Sequence, residues 1–397
     1  MKKYILYTTC VIFFIFWPIQ AQEIADIADV RPVPLTPARF TTVSETSYLN
    51  ELAIRGRNLD SQGLLIESLD GSRVFADHLS DTGFNPASVI KVATSFAALH
   101  TFGPGYRFRT AFHTNGALNK KTRTLKGDLI LETTGSPVLA QADVTRLVRQ
   151  LIKTGVVHVT GKLIVTGPFT YGNYYTTTKA MKAIKSRLKA LGVQVAGPVT
   201  NGAVSGVLQA SHESQSLRDI LFLQNAHSSN PTAERLGEAL GGPHAVEQFL
   251  IDHIGIEPSE ITITRTSGLD YNRITARGTV NLFRTLVQWL GDRGMQPQDI
   301  LPVAGVDPGT LHARFNTGDY RGTVVGKTGS LPGTDGGVST LAGILYTRDQ
   351  GPVLFAIFNN KGSVLMYRRL QDSLIKAMMT EFGGPPAVSA SSHKSNN

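Results

Sequence analysis

The sequence predicts a mixed α/β fold, an α+β sandwich interrupted by a smaller inserted accessory domain. Three observations point there. A chain of 397 residues with 41% hydrophobic content can bury more than one core. A helical region over 217–254 is followed by three apolar, strand-like runs at 323–328, 338–346 and 353–358, then by a helix over 363–382. That order of helices, antiparallel strands and closing helix is the signature of segregated layers. Between 106 and 204 the pattern changes to short strand-like runs around glycine turns, which marks the insert.

Taken along the chain, Met1, Lys2 and Lys3 precede an apolar run that ends near Ile19, and Ala21 stands before a polar stretch. This reads as a cleaved export signal over 1–21, because the run is shorter than the roughly 20 apolar residues a spanning helix needs. Residues 22–42, with Pro32, Pro34 and Pro37, read as a linker. The main domain begins at 43–105. Within it, 64–69 and 73–78 flank Asp70-Gly71, a favoured tight turn, and predict a hairpin. Pro86 opens a helix whose body, from Val89 to Leu99, is apolar nearly all round. The insert holds strands near 129–132 and 162–165 and helices over 143–153 and 179–191. The main domain resumes over 205–382, and a Ser/Asn-rich tail over 383–397 is expected to be disordered.

Cys10 is the only cysteine and lies inside the apolar run, so signal cleavage leaves no thiol, disulfide or cysteine-bound metal. The histidines form no H-E-x-x-H pattern and no glycine-rich phosphate loop is present; no cofactor and no metal are expected. A net charge of +9 suits anionic wall polymers or membrane surfaces, although the scattered lysines and arginines equally describe a solvated surface. No aromatic-interleaved basic stripe suggests nucleic acid.

Three short patterns carry chemistry: Ser88-Val-Ile-Lys91, Ser228-Ser-Asn230 and Lys327-Thr328-Gly329. Spacing of three on a helix sets Ser88 and Lys91 on one face within hydrogen-bonding reach, as a nucleophile and its base require. Lys91 lies among Val89, Ile90, Val92 and Ala93, and desolvation of its charged form lowers its pKa toward that of a usable base. Helix capping would explain Ser88 but not a lysine in an apolar helix. Ser228 is a candidate proton relay between Lys91 and a leaving amine, and Asn230 a holder of a substrate amide, with N-capping as its ordinary alternative. Lys327 and Thr328 end an apolar strand whose edge can receive an extended peptide and its terminal carboxylate. Other copies of these patterns fall in ordinary places. Ser186 to Lys189 lies in a lysine-rich stretch that reads as a solvated helix, and Lys153-Thr154-Gly155 reads as a helix stop.

Ordered S-x-x-K, S-x-N and K-T-G is the pattern of penicillin-recognising serine enzymes. Together with P-A-S-V-I-K at 86–91, G-D-L-I-L at 127–131, N-A-H-S-S-N-P-T-A-E at 225–234, S-G-L at 267–269 and K-T-G-S-L at 327–331, it resembles the DacB-like D-alanyl-D-alanine carboxypeptidase/endopeptidase family, the low-molecular-mass class C penicillin-binding proteins. The resemblance spans about 45–380. It implies a β-lactamase/transpeptidase-like domain with a five-stranded sheet between helices and an accessory insert after the first motif. It also implies serine-type cleavage of D-Ala-D-Ala bonds in peptidoglycan stem peptides and cross-links, β-lactam binding, and a periplasmic location. Ser88 would be acylated with Lys91 as base, Ser228 and Asn230 would form the second motif, and Lys327, Thr328 and Gly329 the third. The backbone N–H groups of Ser88 and Ser330 would bind the oxyanion.

Departures from the family pattern include Ser229 where an aspartate is common, and an added Pro-Gly-Thr-Asp-Gly-Gly at 332–337 that enlarges the loop after the third motif. The same Ser-Lys apparatus would also serve a β-lactamase or esterase, or persist in an inactive wall-binding scaffold. Against the first stands the lack of an E-x-x-L-N segment to position a deacylating water; against the second, the intact motifs.

Overall fold

The computed structural model describes residues 37–386. The expected export signal, residues 22–36 of the expected linker and residues 387–397 of the expected tail lie outside the described residues.

The central sheet has six strands in the spatial order Ala38–Arg39, Arg73–His78, Gln62–Ser68, Gly351–Asn360, Val338–Thr347 and Val324–Leu331. Every pairing is antiparallel except the first. The five long strands match the family expectation, and the sixth is a two-residue addition from the stretch read as linker. Ala38 and Arg39 pair with Arg73 and Val74, and Thr42 then caps the first helix by accepting from the Glu45 N–H at 3.2 Å. At the other end, Gly384 accepts from the Arg348 N–H at 3.0 Å, so packed structure runs slightly past the expected boundary at 383.

Successive strand residues point to opposite faces, and this period of two builds two cores. Leu64, Ile66, Phe355 and Ile357 pack with Tyr48, Leu52, Leu374 and Met378 from helices Val43–Ile54 and Val364–Glu381. Leu65, Leu354, Ala356 and Phe358 face the other way, onto helices Lys91–Phe102, Leu217–His227 and Ala276–Gly291. The helix Lys91–Phe102 is buried from Lys91 through Leu99, as its composition predicts.

A seven-stranded sheet with its own core occupies the region of the insert. Its main path runs Val199–Asn201, Leu163–Thr166, Thr124–Thr133, Arg107–Asn119 and Val207–Ser216, with His158–Val159 and Gln194–Val195 branching from it. Val144, Leu147, Val148 and Leu151 from helix Gln141–Lys153, and Ala180, Ile184 and Leu188 from helix Thr177–Ala190, cover it at helical spacing. This sheet continues to Ser216, past the expected end of the insert at 204: Val207–Ser216 pairs antiparallel with Arg107–Asn119. The strand reads VLQASHESQS and is largely polar, so it carries little hydrophobic signal. Among the described residues no helix is long and apolar enough to cross a membrane.

Candidate active site

Ser88 stands on one 3-10 turn, Ala87–Ile90, that runs straight into helix Lys91–Phe102. The sequence reading places Ser88 in the helix itself; the structure places it on a tighter turn that opens with a residue in the left-handed region. Ala87 has φ 46°, in the left-handed region that residues with a Cβ adopt at a cost. Buried Asn85 holds it there. Its Oδ1 accepts from the Ala87 N–H at 2.9 Å, and its Nδ2 donates to the Asp270 carbonyl and to Asp335 Oδ2, each at 2.9 Å. Asp335, from the enlarged loop 332–337, also pairs with Arg273 at 3.1 Å.

Two glycines allow backbone to close on this turn. Gly268 has φ 84°, and a Cβ there would lie 2.0 Å from the Ala87 carbonyl oxygen. Gly329 faces the turn from the strand Val324–Leu331, where a Cβ would lie 2.7 Å from the Pro86 oxygen and 2.9 Å from Ala87 Cβ. Only a residue without a side chain lets the third-motif strand approach the Ser88 turn this closely. Thr340 from the neighbouring strand adds a tie, donating to the Pro86 oxygen at 2.8 Å.

Lys91 is fully buried. Its Nζ lies 2.8 Å from Ser88 Oγ and 2.7 Å from Asn230 Oδ1, and it donates a short bond to the Ser267 carbonyl. Burial lowers its pKa to about 7, against an opposing pull from Glu234. Glu234 itself accepts from the Ser267 N–H and from Arg265 Nε, both at 3.2 Å, so it steadies the loop that carries the Ser267 carbonyl.

Lys327 is also fully buried. Its Nζ donates to the Thr328 carbonyl at 2.8 Å and to Ser228 Oγ at 3.0 Å. Burial first, and then the charge of Lys91, holds its pKa well below the ordinary lysine value. Ser228 is the left-handed C-cap of helix Leu217–His227, with φ 53° and ψ 44°, a kink that ends one helix just before the next begins. Its hydroxyl is held by Lys327; the hydrogen bonds of Lys91 go instead to Ser88, Asn230 and Ser267. No hydrogen bond joins Ser228 directly to Lys91; the neighbour of the Ser228 hydroxyl is Lys327.

The alternative for Asn230, a helix cap, belongs to its neighbour. Ser229 is the N-cap of helix Asn230–Leu240 and accepts from the Thr232 N–H at 3.3 Å, which frees Asn230 to meet Lys91. Thr328 donates to Thr310 Oγ1 at 2.8 Å, and Ser330 Oγ accepts from Arg368 at 2.9 Å.

All eight candidate residues thus lie on elements that converge on one place. Sequence reasoning missed the Ser267 carbonyl, Thr310 and Arg368. A backbone acceptor has no side-chain signature, and Thr310 reaches the site through a loop whose Gly309 packs against the Ala226 carbonyl. Beside Asn230 opens a cavity of about 490 Å³ lined by Thr176, Lys179, Pro231, Glu234 and Arg265 among others. Among the described residues no group of three or more histidines, cysteines or carboxylates could hold a metal ion.

The profile of the D-Ala-D-Ala carboxypeptidase 3 (S13) family matches residues 47–171 and 168–379. D-alanyl-D-alanine carboxypeptidase DacB of Haemophilus influenzae is 29% identical over 103 residues, a segment covering 26% of this chain and 21% of that relative's length. Among solved structures, penicillin binding protein 4 (dacB) of Haemophilus influenzae in complex with a β-lactam superposes with a TM-score of 0.68 at 21% identity, covering 84% of this chain and 98% of the other. The penicillin G acylated predatory endopeptidase Bd3459 of Bdellovibrio bacteriovorus superposes with a TM-score of 0.66 at 20% identity, covering 84% and 96%. At these identities the likeness establishes the fold, an α/β architecture shared with penicillin-binding proteins.

Proposed function

The chain belongs to the D-Ala-D-Ala carboxypeptidase 3 (S13) family, and from that premise we propose that it is a serine D,D-peptidase that cleaves D-Ala-D-Ala bonds or D-Ala-linked cross-bridges of peptidoglycan through an acyl-enzyme on Ser88. The observation that carries this reading is the setting of Lys91, buried with a pKa near 7 and 2.8 Å from Ser88 Oγ.

A neutral lysine has two N–H groups and one lone pair. Asn230 Oδ1 and the Ser267 carbonyl carry no hydrogens and can only accept, so they take both N–H groups. The lone pair is then left for the Ser88 hydroxyl. Lys91 takes that proton as Oγ attacks the carbonyl carbon of the scissile bond, and the oxyanion falls to the backbone N–H groups of Ser88 and Ser330.

The substrate's terminal carboxylate belongs beside Lys327 and Thr328. It favours the charged form of Lys327, and a charged Lys327 in turn favours a neutral Lys91, because burial brings the two ammonium groups into repulsion. Substrate binding therefore promotes the base form of Lys91. When the tetrahedral adduct collapses, the C–N bond breaks, the amine nitrogen takes the Ser228 proton, and Ser228 recovers one from Lys327. Water then reverses the path. Its proton passes through Ser228 to Lys327, its oxygen attacks the ester, and Lys91 returns the first proton to Ser88.

The same nucleophile, beside the same oxyanion site, would be acylated by β-lactams, as the Bdellovibrio structure is by penicillin G. The apolar run before Ala21 supports export to the periplasm, where the substrate lies. The test is chromatography of defined pentapeptide and cross-linked muropeptides after incubation with the protein. D-alanine release or cross-link cleavage by the wild type and none by Ser88→Ala is the expected result; equal turnover by both would overturn the reading.

A further inference from the structure

Helix Thr177–Ala190 carries Lys179, Lys182, Lys185, Arg187 and Lys189 and no acidic residue. Among the described residues, none of its four lysines pairs with a carboxylate. Like charges three and four apart on a helix repel, so this arrangement opposes the helix it sits on. Arg187 has a structural task, donating to Thr145 Oγ1 at 2.7 Å. The lysines do not share it.

Instead they mark a line between two concavities. Lys179 lines the cavity beside Asn230, together with Pro231 and Glu234. Lys182, Lys185 and Lys189 line a second, larger cleft of about 730 Å³, walled on the opposite side by His158, Gln194 and neighbouring strand-edge residues, with no carboxylate in its lining. Lys185 is braced there by donating to the Gly197 carbonyl at 2.6 Å. Ten residues separate Lys179 from Lys189, about 15 Å along a helix axis. One helix thus runs from the rim of the catalytic site to an unneutralised basic cleft.

We propose that this cleft and the lysine line are an exosite for polymeric peptidoglycan, binding the free carboxylates of stem peptides next to the one being cleaved. The proposal rests on the peptidase reading and adds that the enzyme discriminates between polymer and isolated muropeptide by charge. Solvation alone does not account for four lysines, none of them paired with a carboxylate, lining two concavities of which one borders Asn230. Because the attraction is between charges partly open to water, it weakens as salt rises.

The test compares wild type with Lys182→Gln/Lys189→Gln, two exposed positions, and with the charge-keeping Lys182→Arg/Lys189→Arg. Cosedimentation with purified sacculi measures binding directly, and benzylpenicillin acylation of Ser88 reports an intact active site. The glutamine pair is expected to lower sacculus retention at least fivefold at low salt and to leave acylation unchanged. The arginine pair should restore retention, and wild-type retention should fall as salt rises. Equal retention of all three proteins, or binding to phosphatidylglycerol vesicles in place of sacculi, would overturn the exosite. Failure of the wild type to acylate would instead strike the peptidase reading, so the two outcomes separate.

Discussion

Lys91 Nζ and Asn230 Oδ1 lie 2.7 Å apart although 139 residues separate them in the chain. The contact joins the first motif to the second, and in the proposed mechanism Asn230 is the acceptor that holds one N–H of Lys91 so that the lone pair can face Ser88. An amide does this without adding charge. A carboxylate in the same place would favour the ammonium form of Lys91.

Asn230→Asp is therefore expected to move the pH midpoint of Ser88 acylation upward by a unit or more while leaving the plateau rate nearer to wild type. Stopped-flow acylation by a chromogenic β-lactam across pH reads this directly. An unchanged midpoint would mean that Asn230 does not act through Lys91.

In the wild type the midpoint itself is set by burial of Lys91, which brings its pKa from 10.5 to about 7. The base form is the deprotonated one, so acylation should rise about tenfold per pH unit below the midpoint and level off above it. Stability follows the same group. The folded pKa lies below the unfolded one, so between about 7 and 10.5 the unfolded chain binds the extra proton and this group's destabilising contribution shrinks as pH rises; below 7 it is present in full. A rate that falls with increasing pH across 6 to 8 would contradict the assignment of Lys91 as base.

Gly329→Ala places a methyl group 2.7 Å from the Pro86 oxygen and 2.1 Å from Thr340 Oγ1. Neither wall is a flexible side-chain end free to withdraw, because Thr340 is itself tied to Pro86. The strand must move away from the Ser88 turn. Acylation should drop about 10²-fold or more, the range for loss of an oxyanion donor, with far-UV circular dichroism retained. Wild-type acylation by the variant would show that strand approach is not needed.

Asp335→Ala removes one of the two acceptors of buried Asn85 Nδ2 and the partner of Arg273. Hydrogen bonds to charged groups contribute about 1.5–3 kcal/mol, and here the bond supports the left-handed Ala87 that presents Ser88. Acylation about tenfold slower and a lower Tm are expected. Asp335→Asn keeps an acceptor oxygen and should recover most of the rate, which separates support of Asn85 from the ion pair. Equal losses in both variants would place the effect in the pairing with Arg273.

What could be read in the sequence were the groups with distinctive side chains at fixed spacing. Ser88, Lys91, Ser228, Asn230 and Lys327 announce themselves by pattern, and the buried strands by continuous apolar runs. The Ser267 carbonyl was hidden because any residue could supply it. Asp335 was visible only as part of an added loop, since its partners Asn85 and Arg273 are remote in sequence. The polar strand Val207–Ser216 escaped notice because its place is fixed by backbone pairing with Arg107–Asn119, which leaves no hydrophobic imprint. That the Ser228 hydroxyl pairs with Lys327 could not be read from spacing, because Ser228 sits on a left-handed helix cap whose direction the pattern does not reveal.

The central claim, that Ser88 is an acylatable nucleophile activated by Lys91, is tested most directly by intact mass spectrometry of the purified protein after brief exposure to benzylpenicillin, with Ser88→Ala and Lys91→Ala in parallel. The wild type is expected to gain one drug mass, and neither variant any. An adduct that persists on Ser88→Ala, or a wild type that neither gains mass nor consumes the drug, would contradict it.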